Sequence, residues 1–283
     1  MIMITTMLSL FALFGVMVYR HVLVMSRYSI NFISSFITLF VITIVLLFAS
    51  FMFTSESAQK AVGNATKSLL TGLVIYGLFL FLFISATLWT MGSSIRQEQL
   101  QGTLEAFYLT PANRFLYLTS RLVQPLVSTI MSAVVIIFFV QLLFGGLPVH
   151  NIGLATITLF FTVTGISGLG FCFASLTLII KDSAEIVANI LRILLLVVCA
   201  IFFSFRALPI PLQFLSHIIP LSYCVDLFRS ALLGFPAGFP ELAPSSVEIP
   251  IVVITGLIQP FVGYWVYRRV EDYVRTSGSL SDY

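Results

Sequence analysis

Charged residues are scarce in this sequence. Asp, Glu, Lys and Arg make up 9% of its 283 residues, whereas hydrophobic residues make up 59%. An ordinary soluble domain contains about 25% charged residues, so this chain has too few to cover a soluble globule of its size. The net charge of +3 is small and the basic residues do not cluster, which argues against nucleic acid as a partner. The composition predicts an all-α protein that crosses a membrane several times.

Several motifs are also missing. The three cysteines, Cys172, Cys199 and Cys224, show neither CxxC nor CxH spacing, so they predict no metal site and are expected to act as small hydrophobes. An odd number of cysteines cannot all pair within one chain, and the N-terminus lacks the charged region and cleavage site of a signal peptide. Residues 63–68 end in Lys-Ser but lack the glycine that precedes the lysine in a Walker A sequence. We therefore expect no ATP hydrolysis, no enzyme activity and no cofactor in this chain.

Apolar runs of about 20 residues, the length that crosses a bilayer, recur along the sequence. They form a single transmembrane domain, 1–283, with six predicted spans at about 28–53, 68–92, 122–144, 152–180, 186–205 and 249–267. Residues 1–27 are interpreted as an interfacial helix, although residues 1–19 are long enough to be a seventh span. The proline- and glycine-rich segment 207–248 is too broken to span, yet too apolar to be free in water.

The basic residues set the orientation, because cytoplasmic loops are enriched in Lys and Arg. If Arg20 and Arg27 are inside and the loops alternate, ten basic residues lie on the inner side and four on the outer side. The inner ten are Arg20, Arg27, Arg96, Arg114, Arg121, Lys181, Arg192, Arg268, Arg269 and Arg275, and the outer four are Lys60, Lys67, Arg206 and Arg229. We therefore predict a multi-pass protein of the cell membrane with both termini in the cytoplasm.

The stretch 94–121 is a dense polar interruption between two apolar runs. Leu100, Leu104 and Phe107 share one helical face, and Glu98, Gln101 and Glu105 share another. This pattern predicts a short amphipathic helix over 95–109, ended by Thr110-Pro111. Gly102 would lie in its middle, where it would allow close approach by another backbone. The alternative is an ordinary solvated helix with no partner.

Two motifs resemble those of one family of membrane transporters. The first resembles the E-x-x-x-G-T-L-E-x-x-x-x-T-P signature of type-2 (type V, ABCG-like) ABC exporter permeases, and it consists of Glu98, Gly102-Thr103-Leu104-Glu105 and Thr110-Pro111. The second resembles that family's L-P…P-L-T-Y-x-x-D-x-x-R segment, and it consists of Leu208-Pro209, Ile219-Pro220-Leu221-Ser222-Tyr223, Asp226 and Arg229. Together they place the resemblance over essentially the whole chain.

The resemblance implies specific roles and partners. The helix at 95–109 would be a coupling helix that docks on a cytoplasmic ABC ATPase subunit, which would bind ATP and Mg²⁺. The expected docking residues are Arg96, Glu98, Gln99, Gln101, Gly102, Thr103, Leu104 and Glu105, with Lys181 and Asp182 as a second contact. Segment 207–248 would form short re-entrant helices at the outer face before the last span, and its expected structural residues are Pro220, Tyr223, Asp226 and Arg229. Two ATPase copies and a second permease copy, in a homodimer, would complete the transporter.

The substrate and two other functions stay open. The apolar spans favour an amphipathic, lipid-linked or drug-like substrate that is exported from the cytoplasm or the inner leaflet. An ion-coupled secondary carrier is one alternative, although ionisable residues within the spans are sparse. An intramembrane serine protease is another, because residues 165–168 match its G-x-S-G sequence. That chemistry needs a histidine base, and none of His21, His150 and His217 lies within a later span.

Overall fold

The computed structural model describes residues 64–102, 114–144, 149–180 and 184–276, together with isolated positions between 15 and 45. All regular structure within these residues is helical. One 3-10 turn spans Phe205–Ala207. The helices are α1 (Asn64–Leu100), α2 (Arg114–Ser120), α3 (Val123–Phe144), α4 (Ile152–Ile180), α5 (Ala184–Val198), α6 (Ile210–Ile218), α7 (Pro220–Leu233) and α8 (Ser245–Thr276).

Four stretches of the described residues are long and apolar enough to cross a membrane. They are Gly72–Leu100, Arg114–Phe138, Ile152–Ile179 and Ser245–Val274. The pair α6 and α7, bent by 93°, would add a fifth if it forms one broken span. The predicted segments 1–27 and 28–53 lie outside the described residues except for isolated helical positions. The count of six spans therefore stays a prediction.

Helix α4 lies at the centre of the bundle and packs against α8, α1 and α7. Small residues allow the close crossing with α8: a Cβ on Gly168 would lie 2.2 Å from the carbonyl oxygen of Gln259, and one on Gly263 would lie 2.1 Å from that of Gly168. Gly170 is equally close to α1, since a Cβ there would lie 2.6 Å from the Cβ of Met91. The sequence prediction that the small residues of this helix permit close backbone approach is confirmed.

Helix α1 is longer than predicted. It begins at Asn64 and continues without a break to Leu100, because residues 93–100 contain neither proline nor glycine. Gly102 follows with φ = +67°, the left-handed conformation in which glycine ends many helices. Two expectations are thus wrong. Residues 95–100 belong to α1 and do not begin a separate helix, and Gly102 ends a helix and does not lie in the middle of one. Nothing lies within 4 Å of a Cβ built on Gly102, so it makes no close backbone contact within the described residues.

The predicted span 186–205 is also wrong as a single helix, because α5 ends at Val198. The backbone turns at Ala200, whose φ is +45°, and the carbonyl groups near the helix end need new donors. Arg229 Nη1 donates to the carbonyl oxygens of Ala200 and Phe203, each at 2.9 Å. The Ser216 hydroxyl donates to the carbonyl oxygen of Val198 at 2.6 Å. Contacts from α6 and α7, which are distant in sequence, therefore stabilise the end of α5.

Proline explains the sharp bend between α6 and α7. Ile219 precedes Pro220 and has φ = −84° and ψ = 113°, because a residue before proline disfavours the helical region. Pro220 then occupies the first turn of α7, where its missing N–H costs nothing. Helix α8 is longer than the predicted 249–267, since it begins at Ser245, runs to Thr276 and includes Pro250 and Pro260.

Candidate functional site: the Glu98 cluster

The last turn of α1 carries a buried carboxylate. Glu98 accepts hydrogen bonds from the Tyr117 hydroxyl of α2 and from Arg121 Nη2 at the turn between α2 and α3. The side chains of Arg121 and Glu98 are 16% and 11% exposed. We call Glu98, Tyr117 and Arg121 the Glu98 cluster. A charge this deeply buried is stable only when an opposite charge and hydrogen bonds compensate it, and the cluster supplies both.

Arg121 holds the cluster together. Its Nη1 donates to the Gln97 side-chain oxygen at 2.8 Å, and its guanidinium also donates to the Tyr117 hydroxyl and lies 4.9 Å from the centre of that ring. One arginine thus contacts α1 at two positions and α2 at one. The planar guanidinium, with five N–H donors, suits this arrangement better than a lysine would.

A second ion pair connects the start of α2 to the last helix. Arg114 Nη1 lies 2.8 Å from Glu271 Oε1, and the Glu271 side chain is 2% exposed. Glu271 is near the C-terminal end of α8. The two ends of the segment 101–113 are therefore attached to folded elements, through Glu98 at its start and through Arg114 at its finish.

An apolar layer lies beneath these polar contacts. Met91 and Ile95 of α1, Leu118 of α2 and Leu178 of α4 belong to one buried cluster with Tyr267 of α8. The ring of Phe115 stacks on that of Phe171, with centroids 5.4 Å apart, and meets Tyr264 edge-on at 5.2 Å. The polar and apolar contacts together join α1, α2, α4 and α8 at one end of the molecule.

The predicted docking residues divide into three groups. Glu98 and Gln99 are buried, at 8% and 7% exposed, so neither is placed for direct docking and Glu98 is not part of the outward polar face that the pattern predicted. Arg96 is half-buried with its Nη1 3.4 Å from the Gln99 side-chain oxygen, and Gln101 and Gly102 are exposed. Thr103, Leu104, Glu105, Lys181 and Asp182 lie outside the described residues.

Two of the predicted outer residues, Asp226 and Arg229, belong to a second buried network at the opposite end. Asp226 and Arg229 are both 0% exposed. Asp226 Oδ2 accepts from the backbone N–H groups of Glu241 and Leu242 at 2.6 and 2.8 Å. Pro220 begins α7 and Tyr223 donates its hydroxyl to the carbonyl oxygen of His217 at 3.0 Å.

Sequence reasoning missed two carboxylates of this network. Glu241 accepts from the Ser204 hydroxyl at 2.6 Å and from the Phe205 N–H at 2.5 Å. Glu248, in the first turn of α8, is 0% exposed and accepts from the Ala243 N–H at 3.3 Å. An acidic residue in a first helical turn is a visible signal in the sequence, but the partner of Glu241 lies 37 residues away. The network fixes the bent pair to α5 and to the start of α8.

Neither alternative function finds a site in the part of the chain that the structure describes. The Ser167 hydroxyl donates to the Thr164 carbonyl oxygen at 2.6 Å, and His150, which precedes α4, is about 25 Å away by the helical rise. The buried carboxylates and arginines, Glu98, Asp226, Arg229, Glu248 and Glu271, lie near helix ends or in the outer network, so they offer no relay through the middle of the bundle. No group of three or more metal-ligating residues occurs among the described residues.

Comparison with known families identifies the chain. The model of the ABC-2 type transporter family matches residues 2–233, which include the Glu98 cluster and the bent pair α6 and α7. No curated protein matches the chain. The chain therefore belongs to the ABC-2 type transporter family, and it is a multi-pass permease component of an ABC transporter.

Proposed function

We propose that this chain is the transmembrane subunit of an ATP-driven exporter, and that the segment 101–113 receives force from a cytoplasmic ATPase. Two permease copies, as a homodimer, would pair with two ATPase copies, each of which would bind ATP and Mg²⁺. The family supports a permease that depends on an ATPase in general. The copy numbers, the export direction and the docking residues are part of the proposal.

The Glu98 cluster is the observation that carries the proposal. A segment that transmits force must be attached firmly at both ends, because a loose tether would move without displacing the helices. Here Glu98 binds Arg121 across the two ends of the segment, and Arg114 binds Glu271 of α8. A movement of 101–113 would therefore displace α1, α3 and α8 together.

The structure changes which residues we propose for direct contact. Gln101 and Gly102 are exposed and Arg96 is half-buried, so these residues and 103–109 form the proposed ATPase surface. Glu98 and Gln99 are assigned a positioning role instead, because both are buried. Lys181 and Asp182, in the connection between α4 and α5, are kept as the second contact.

The distribution of charge supports a cytoplasmic position for this surface. Arg96, Arg114 and Arg121 lie at the same end as Glu271, and Arg268 and Arg269 are exposed within one turn of Glu271. The opposite end carries Arg229 in a buried network. An excess of basic residues marks the cytoplasmic side, so we place the Glu98 cluster and both termini in the cytoplasm of a cell-membrane protein.

An amphipathic, lipid-linked or drug-like molecule is the proposed substrate, taken from the cytoplasm or the inner leaflet. Exposed side chains on the described helices are largely aliphatic or aromatic, as at Ile186, Ile190 and Ile193 of α5 and at Phe261 of α8. Surfaces of this kind offer an ion few ligands, whereas they are compatible with hydrocarbon.

Co-purification with the cognate ATPase tests the docking surface. The double substitution Glu105→Arg with Leu104→Asp is expected to abolish complex formation and ATP-driven transport, because it reverses a charge and places another on the docking segment. The matched control is Val149→Asp, at an exposed position at the opposite end of the molecule, which should leave the complex intact. Normal complex formation and transport by the double variant would show that the surface is misplaced.

A further inference from the structure

An apolar groove runs between four helices at the end opposite the Glu98 cluster. Its volume is about 230 Å³. Helix α1 contributes Tyr76 and Phe79, α3 contributes Ala133, α4 contributes Ala155, and α7 forms the floor with Phe228 and Leu232. The lining residues of α3 are three or four positions apart and therefore share one face of that helix: Ile130, Ala133, Val134 and Ile137.

The lining is almost entirely apolar, and its polar side chains are those of Tyr76 and Thr156. The Thr156 hydroxyl already donates to the carbonyl oxygen of Ile152 at 2.8 Å. Ile130, Val134 and Ile152 are more than half exposed on the rim, and they belong to helices that are long and apolar enough to span. The groove therefore opens toward hydrocarbon.

The extent of the groove matches part of one leaflet. From Ile152 to Leu159 the helical rise gives about 10 Å, compared with about 15 Å for half of a hydrocarbon core. Farther along, α1 and α4 close together, since a Cβ on Gly92 would lie 1.6 Å from the Phe173 ring. A helix that crosses the bilayer is about 30 Å long and would extend well beyond this short groove, whereas part of one hydrocarbon chain would not.

Polar groups stand at the open end of the groove. His150 and Asn151 are exposed, and their backbone N–H groups donate to the carbonyl oxygens of Leu232 and Ala231, each at 3.1 Å. These bonds fix the connection before α4 at the rim. An imidazole and an amide can both donate hydrogen bonds to phosphate oxygens, which complements a phospholipid headgroup.

We propose that this groove binds one acyl chain of a bilayer phospholipid, whose headgroup lies beside His150 and Asn151. In the proposed orientation the lipid belongs to the outer leaflet. The site does not depend on ATPase coupling, so it can be tested on the isolated permease and can fail without affecting the proposed function.

Photolabelling in nanodiscs tests the site. The full chain is reconstituted with phosphatidylcholine that carries a diazirine on its acyl chain, and the labelled peptides are identified by mass spectrometry. Label is expected to concentrate on the groove-facing segments of α3 and α4 relative to the exposed face of α8. Ala133→Phe should fill part of the groove, so that about two methylene groups of the acyl chain can no longer be buried there. This loss corresponds to an affinity about tenfold lower, and labelling should fall by about the same factor.

Two controls keep the result decisive. Ile258→Phe adds similar bulk on the exposed face of α8 and should leave groove labelling unchanged, and Ala133→Val is the milder variant if the phenylalanine prevents folding. Labelling that is equal over the groove and α8, or unchanged in a folded Ala133 variant, would overturn the site. Val134→Cys provides a further outcome that would overturn the site. If this variant forms a disulfide between two copies of the chain and the crosslinked protein is no longer labelled, a second copy is the occupant of the groove.

Discussion

Replacing Arg121 by methionine removes a buried cation but keeps an unbranched side chain of similar length. The Glu98 carboxylate would then stay buried without its arginine partner, while the Tyr117 hydroxyl would still donate to it. Leaving one partner of a buried ion pair uncompensated costs about 3–5 kcal/mol, and the remaining hydroxyl favours the lower value. At about 2–4 °C per kcal/mol, the thermal midpoint should fall by on the order of 10 °C.

A double-mutant cycle separates this charge effect from lost packing. Glu98→Gln in the Arg121→Met background removes both charges, so the double variant should be more stable than the sum of the two single effects by about 1–2 kcal/mol. Thermal unfolding of the purified permease in nanodiscs measures the cycle. The same Arg121→Met protein should still bind the ATPase but lose ATP-driven transport, because its docking segment is present and its attachment is weakened.

Additive single effects would refute the reasoning, since they would mean that Glu98 and Arg121 do not stabilise each other. Arg121→Lys is a useful companion, because it keeps the charge but cannot contact Gln97, Glu98 and Tyr117 with a planar fork. It should lie between wild type and Arg121→Met in both stability and transport.

Two further predictions concern packing and the end of α5. Gly168→Leu should abolish the peak of folded protein in size-exclusion chromatography, because a Cβ there would lie 2.2 Å from a carbonyl oxygen of α8. The control Gly153→Ala should be neutral or slightly stabilising, because nothing lies within 4 Å of a Cβ at that position. Arg229→Leu should lower the free energy of unfolding by about 2–4 kcal/mol, since it removes the donor to the Ala200 and Phe203 carbonyl oxygens. A thermal midpoint within about 1–2 °C of wild type, which corresponds to less than about 1 kcal/mol, would contradict that role.

The sequence predicted the apolar helices better than their ends. The span at 152–180 coincides with α4, because a long apolar run without charged residues or proline favours one continuous helix. The run at 186–205 is just as apolar, yet α5 ends at Val198. Its end depends on Arg229 of α7, and hydrophobicity along one segment carries no information about a donor 29 residues away.

For the candidate site, the sequence singled out Glu98, but it did not predict that Glu98 is buried or that Tyr117 and Arg121 are its partners. Helical spacing grouped Glu98 with Gln101 as one polar face. The structure buries Glu98 and exposes Gln101 and Leu100, because α1 continues from the membrane and Glu98 meets Arg121. Periodicity shows which residues share a face, but in a membrane protein the polar face can turn inward when a buried partner of opposite charge is available.

Site-directed crosslinking tests the central claim most directly. A benzophenone attached at Gln101→Cys, an exposed position beside the Glu98 cluster, is compared with one at Val149→Cys, an exposed position at the opposite end of the molecule. The account predicts that, in the complex with its ATPase, the probe at 101 crosslinks to the ATPase and the probe at 149 does not. Crosslinking from 149 alone, or equally from both positions, would contradict it.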